Sequence, residues 1–178
     1  MALSLQEPKI YFAEDMQDIT SFSVAGGIAC VYTARSPEKT TPNEDSVALL
    51  PCADHTAVLV IADGLGGLRA GDLASRQAVE SLASTVMRCC TDQDSMREAI
   101  LNGVEQADEK ITAMGLGAAT TVAIVEIRER EVRPYHVGDS MTLITGQRGR
   151  IKYLTVPHSP VGYAVEAGML DANEALFI

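Results

Sequence analysis

Positive charge is what this sequence has least of. Lysine and arginine number 14 against 24 aspartates and glutamates in 178 residues, a formal charge of −10. Such a chain repels polyanions, so nucleic acid is excluded as an expected partner. Long apolar runs are missing too: no stretch approaches the ~18 apolar residues that span a bilayer. The opening, MALSLQEPKIYFAEDM, has neither a basic start nor a long apolar run. No membrane association and a cytoplasmic location are therefore expected. Cysteine is sparse and unpatterned. Cys30, Cys52, Cys89 and Cys90 form no metal-ligand spacing, and the adjacent pair is unlike a secreted disulfide framework. All four are read as reduced, packed thiols. His55, His136 and His158 are read as packing or loop residues rather than catalysts. There is no internal repeat and no low-complexity segment. What is present is 47% hydrophobic, enough to build a substantial core in one domain.

From residue 21 to 50 the pattern is strand-like: SFSVAGGIACVYTA, a polar stretch RSPEKTTPNED, then SVALL, with Gly26 and Gly27 marking a turn or bulge. AVLVIA, residues 57–62, is a continuous run rich in β-branched residues, as in a central strand covered on both faces. Leu73, Ala74, Ala78, Leu82 and Val86 then recur at helical spacing, as do Met96, Ile100, Val104, Ala107, Ile111 and Met114. Two amphipathic helices, 73–87 and 96–114, are expected antiparallel on one sheet face, since the TDQD connection is short. Ser95 stands three residues before Glu98 as a capping box, and Gly115 and Gly117 end the second helix. Further strands are expected at ATTVAIVEI, at VRPYHVG continuing through SMTLITG, and at IKYLTV, with QRGR as a hairpin turn. PVGYAVEAG and DANEALFI read as short helices. Strands, two helices and strands again give an α+β fold with segregated helices.

The chemistry concentrates in NEDSVALLPCADHTAVLVIADGLGG, where an acidic cluster leads into the apolar run and the run ends in Asp63, Gly64, Leu65, Gly66 and Gly67. A turn needs only the glycines' access to positive φ. A phosphate loop would also lie between strand and helix, but the glycine spacing does not match the dinucleotide fingerprint, and no Lys-Ser/Thr of a nucleotide P-loop follows. A hard-cation site is the third reading: Asp63 offers a carboxylate, Glu44 and Asp45 stand nearby, and glycines let backbone carbonyls approach an ion. Asp139 in HVGDSM is a second acidic strand tip. Acidic residues at strand ends are how oxygen-ligand metal sites are assembled from remote segments.

NEDS, ADGLGG followed by AGDLASRQAVESL, then GAATTVAIVEI, YHVGDSM and LTVPHSPVGYAVEAGMLDANEA stand in the order and approximate spacing of one family. From about Asn43 onward the chain resembles the metal-dependent protein phosphatases, the type 2C or PPM family, in its bacterial branch. The resemblance implies a four-layer α-β-β-α sandwich with two Mn²⁺ or Mg²⁺ ions at one end. It implies that Asp63 bridges the ions, that the Gly64 carbonyl binds the second, that Glu44 and Asp45 hold metal-bound water, and that Asp139 serves a third, weaker position. Phosphoprotein monoesters would be hydrolysed by a metal-bound hydroxide, with Asp63 and Asp45 as the catalytic pair. Two cations about 3.5–4 Å apart make hydroxide available at neutral pH and neutralise phosphate charge.

The sequence departs from the family at several points. The arginine usual before Asn-x-Asp is replaced by Thr40, Thr41 and Pro42, leaving Lys39 or Arg35 as candidates for substrate phosphate. Met141 and Pro157 stand where an arginine and an aspartate are usual, and the later aspartate motifs are missing. The expectation is thus one PPM-type domain over residues 1–178, incomplete at its C-terminus and weakly active or inactive alone. The alternative is a catalytically inactive phosphatase-like module that binds a regulatory partner. Either could associate through an unpaired sheet edge.

Overall fold

The computed structural model describes residues 2–53, 55–65, 70–92, 95–171 and 175. Its elements are β1 (Leu3–Ser4), β2 (Lys9–Phe12), β3 (Thr20–Val24), β4 (Gly27–Val31), β5 (Asp45–Ala53), β6 (Thr56–Leu65), α1 (Gly71–Asp92), α2 (Met96–Ala113), β7 (Ala119–Thr120), β8 (Val122–Arg128), β9 (Glu131–Val137), β10 (Leu143–Thr145), β11 (Ile151–Leu154) and α3 (Pro160–Glu166). The fold is α+β. Antiparallel pairing builds the main sheet in the order β2-β5-β6-β8-β9, with β7 added to the end of β6.

The apolar run forms β6, at the centre of that sheet. Its even-numbered residues Val58, Val60 and Ala62 face the helices and are fully buried. Its odd-numbered face is less covered than a continuous apolar run suggests. Leu59 packs against a second cluster, whereas Ile61 is 52% exposed. In β5 burial continues from Ser46 to Leu50, because Ala48 and Leu50 meet the helices while Val47 and Leu49 meet the three-stranded β1-β3-β4 sheet. Tyr11, Phe22 and Val31 complete that second cluster.

Both helices lie on one face of the sheet and run antiparallel: Gly103 sits against Leu82 and Thr85, and further along Lys110 Nζ donates to Ser81 Oγ at 3.2 Å. Helix α1 is longer than its apolar spacing indicates, extending through Cys90 to Asp92. It buries Val79, Leu82 and Val86 completely, and each such side chain contributes about 1.5–3 kcal/mol. Ser95 caps α2 by accepting from the Glu98 backbone N–H, and Gly115 (φ 65°) and Gly117 (φ 67°) turn the chain away after it.

Three expectations need correction or placement. Cys52 of β5 and Cys90 of α1 are joined in a disulfide, so these two are not reduced thiols. Their pairing depends on α1 lying along β5, a contact that cysteine spacing does not report. The strand expected to run from VRPYHVG through SMTLITG breaks at Gly138 (φ 92°), and β10 pairs with β11 in a separate hairpin across QRGR. DANEALFI lies almost wholly outside the described residues, as do Gly66 and Gly67. No helix among the described residues is long and apolar enough to cross a membrane.

Candidate metal and phosphate site

β5 and β6 bring Asp45 directly opposite Asp63. The Gly64 N–H donates to the Glu44 carbonyl at 3.2 Å, so Asp45 and Asp63 form a non-hydrogen-bonded pair, the closest side-chain approach an antiparallel ladder offers. Both project from the face opposite the helices. Like charges so placed disfavour each other. The Asp45 carboxyl is held above its usual range, first by burial and then by Asp63, against which Lys39 and a hydrogen bond from Thr33 pull it down.

Asn43 holds Asp45 in place. It is 3% exposed. Its side-chain nitrogen donates to the Glu14 carbonyl at 2.7 Å and to Thr33 Oγ1 at 2.9 Å, while its oxygen accepts from the Asp45 backbone N–H at 3.1 Å. Glu44 has its own setting, with its carboxylate beside Gly71 and in an ion pair with Lys39 Nζ at 3.2 Å. Gly64 and Gly71 meet so closely that neither tolerates a side chain without displacement, which seats the start of α1 directly behind the strand tip. Ser46 Oγ and Ser75 Oγ, 2.9 Å apart, tie β5 to the same helix.

The Asp63 carbonyl accepts from the Thr121 backbone N–H at 2.9 Å and from Thr120 Oγ1 at 3.0 Å. Thr121 Oγ1 in turn lies 2.5 Å from Ser140 Oγ, and Gly138 packs on the Thr121 side chain. The loop carrying Asp139 is thereby stitched to the same end of the sheet as Asp63. The exposed Asp139 nevertheless does not complete a cluster: among the described residues no group of three or more His, Cys, Asp or Glu side chains converges.

The two basic candidates line one small cavity of about 50 Å³ with Asn43, Glu44 and Asp45. Neither stands unengaged. Arg35 is bound to Asp15 through its side chain at 3.2 Å and its backbone N–H at 2.8 Å, and Lys39 is bound to Glu44. Sequence reasoning did not foresee Asp15, Thr33, Asn43 as a brace, or Thr121. Of these only Asn43 carried a signal, as a buried polar residue two positions before a strand-initial aspartate.

Hard oxygen donors, two of them carboxylates disfavoured by each other, suit a divalent cation. Asp45, Asp63 and the adjacent backbone fit an ion that completes its shell with water, rather than a closed protein cage.

Comparison with known proteins follows the same lines. The family model for protein phosphatase 2C matches residues 35–177. The protein phosphatase PhpP of Streptococcus pneumoniae is 32% identical over 145 residues, a match covering 78% of this chain and 58% of that protein. The S. agalactiae serine/threonine phosphatase structure superposes with a TM-score of 0.64 at 24% identity, covering 95% of this chain and 64% of that one. The catalytic domain of the phosphatase PstP, solved with two manganese ions, gives 0.58 at 21% identity, covering 94% and 64%. The chain thus spans about three-fifths of the length of these relatives. With the family model spanning residues 35–177, the chain belongs to the protein phosphatase 2C family.

Proposed function

We propose that this chain carries the Asp45–Asp63 half of a Mn²⁺- or Mg²⁺-dependent serine/threonine protein phosphatase site, acting on phosphoproteins in the cytoplasm. The observation that supports it best is the register that sets Asp45 against Asp63, with Asp45 held above its usual pKa range. Asp45, Asp63 and the Gly64 carbonyl would hold the ion, with Glu44 orienting water and Asp139 serving a more peripheral position. When bound, a divalent cation supplies Lewis-acid activation of water and neutralises phosphate charge. The protein's own contribution is positional. Asn43 fixes Asp45, the Gly64–Gly71 contact fixes the strand tip, and Lys39, which lines the same small cavity, would face a substrate phosphate. This reading includes a single phosphatase-type domain over residues 1–178.

A second reading, an inactive phosphatase-like module that holds a regulatory partner, is favoured by one observation. Arg35, the arginine candidate for the substrate phosphate, is committed to Asp15. Mn²⁺-dependent hydrolysis of an aryl phosphate and a phosphoserine peptide, compared with Asp63→Asn, separates the two. Turnover abolished by that substitution supports the enzyme. Mn²⁺ binding without turnover supports the module, and no Mn²⁺ binding to the wild-type chain defeats the proposed ligand set.

A further inference from the structure

The Cys52–Cys90 pair lies outside everything the phosphatase reading uses. It also joins β5, which carries Asp45, to α1, whose start lies behind the tip of β6. β5 begins at Asp45 and reaches Cys52 seven residues later, roughly 24 Å at strand rise. Helix α1 begins at Gly71, behind Gly64, and reaches Cys90 after nineteen residues, roughly 28 Å at helical rise. The elements therefore leave the site side by side and meet again at their far ends. Near the site they are pinned by the 2.9 Å Ser46–Ser75 hydrogen bond, while the Gly64–Gly71 contact holds the start of α1 to the neighbouring strand β6. At the far end the pin is the disulfide, between Cα atoms 5.2 Å apart and 38 residues apart in sequence.

We propose that Cys52 and Cys90 are a redox-operated latch that locks helix α1 to strand β5. Three observations support a latch over a permanent staple. Both cysteines are partly exposed, at the edge of the core on which they pack rather than sealed within it. Cys52 lines an open cleft of about 570 Å³ with Ser4, Gly26 and Pro51, which admits a small disulfide. The helix is already packed through Ala78, Val79, Leu82 and Val86, so its position does not depend on the bond. In a reducing compartment a bond of this kind is transient rather than structural.

The exchange balances as two thiol–disulfide steps. The Cys52 thiolate attacks one sulfur of a low-molecular-weight disulfide RSSR, forming a mixed disulfide and releasing RS⁻. The Cys90 thiolate then attacks the Cys52 sulfur, closing the Cys52–Cys90 bond and releasing the second RS⁻. Two protein thiols lose two electrons and two protons, and one RSSR becomes two RSH. Opening is the reverse. The buried Cys89, next to Cys90, is the control.

The full chain, equilibrated across ratios of reduced to oxidised glutathione, acid-quenched and alkylated, is mapped by mass spectrometry. Hydrogen exchange is measured on both end states. The Cys52–Cys90 peptide is expected to rise and fall reversibly with the ratio. Exchange over residues 84–90 is expected to be several-fold slower in the oxidised protein, with a smaller change around Ser75. A Cys52→Ala/Cys90→Ala protein should lose the response and Cys89→Ala should keep it. The proposal is overturned if Cys52 and Cys90 stay fully alkylated in excess oxidised glutathione, or if Cys89 replaces Cys90 in the bond. It is equally overturned if glutathione cannot reopen the bond in the folded chain, or if exchange over 84–90 is the same in both states.

Discussion

Gly64→Ala and Gly71→Ala address the same contact from its two sides, and the structure orders them. A Cβ on Gly64 would lie inside the Gly71 carbonyl and 2.7 Å from the Glu44 carbonyl oxygen, with backbone on both sides. Neither neighbour can swing aside, so β6, the start of α1 or the Glu44 peptide must move. Overpacking of this kind costs about 1–3 kcal/mol, and two backbone obstacles place Gly64→Ala at the upper end, about 3 kcal/mol. A Cβ on Gly71 would instead meet Glu44 Oε1 at 2.5 Å and the Gly64 carbonyl oxygen at 2.9 Å. The nearer obstacle is the end of a side chain, which can rotate at the loss of its ion pair with Lys39. Gly71 opens α1, where the helix preference for alanine counts for less than inside, and the Gly64 carbonyl must still give slightly, so Gly71→Ala should cost about 1–2 kcal/mol. Urea unfolding at unchanged m reads the difference. For a domain this size about 3 kcal/mol corresponds to a Tm lowered by roughly 6–12 °C. The reasoning fails if Gly64→Ala lies within about 0.5 kcal/mol of wild type, the range of an ordinary surface substitution. It fails equally if Gly71→Ala proves the costlier of the two.

Asn43→Ala leaves the Asp45 N–H, the Glu14 carbonyl and Thr33 without their shared partner; a loss of about 1–3 kcal/mol in urea unfolding is expected, and a neutral result would remove the brace from the account. The raised Asp45 carboxyl makes folding favour its protonated form, a contribution fully present below its unfolded pKa of 3.8 and lost as pH rises through the raised folded value. Asp63→Asn in chelator should therefore stabilise the chain at pH 7, by about 0.2–1 kcal/mol. That gain should fade towards pH 4; a larger gain at pH 4 than at pH 7 would refute it. The buried Glu126 carboxylate accepts from Tyr135 Oη at 2.7 Å and lies 3.6 Å from Arg133, so Tyr135→Phe should cost about 1–2 kcal/mol, readable by thermal unfolding.

What the sequence revealed and what it hid divide along the range of the forces involved. AVLVIA as a central strand, the stripes of α1 and α2 and the Ser95 cap are written in spacings of two to four residues, so they could be read directly. Asp63 was conspicuous because a carboxylate closed an apolar run. Its opposition to Asp45 required the register of β5 on β6, which NEDS suggests only through resemblance. The Arg35–Asp15 pair spans 20 residues and the Cys52–Cys90 bond 38. No local pattern encodes either. The break at Gly138 was hidden for another reason: strand-like segments stand on both sides of a glycine whose positive φ ends the strand.

The hydrogen bonds around Asp63 also decide which of its atoms remain open. A carbonyl oxygen has two lone pairs, and that of Asp63 accepts from both the Thr121 N–H and the Thr120 hydroxyl. Its acceptor capacity is spent inside the sheet. The cation proposed for this strand tip would therefore meet Asp63 through its carboxylate rather than its carbonyl. On the proposed reading the threonine pair would filter coordination, leaving the side chain of Asp63 open and its backbone oxygen occupied.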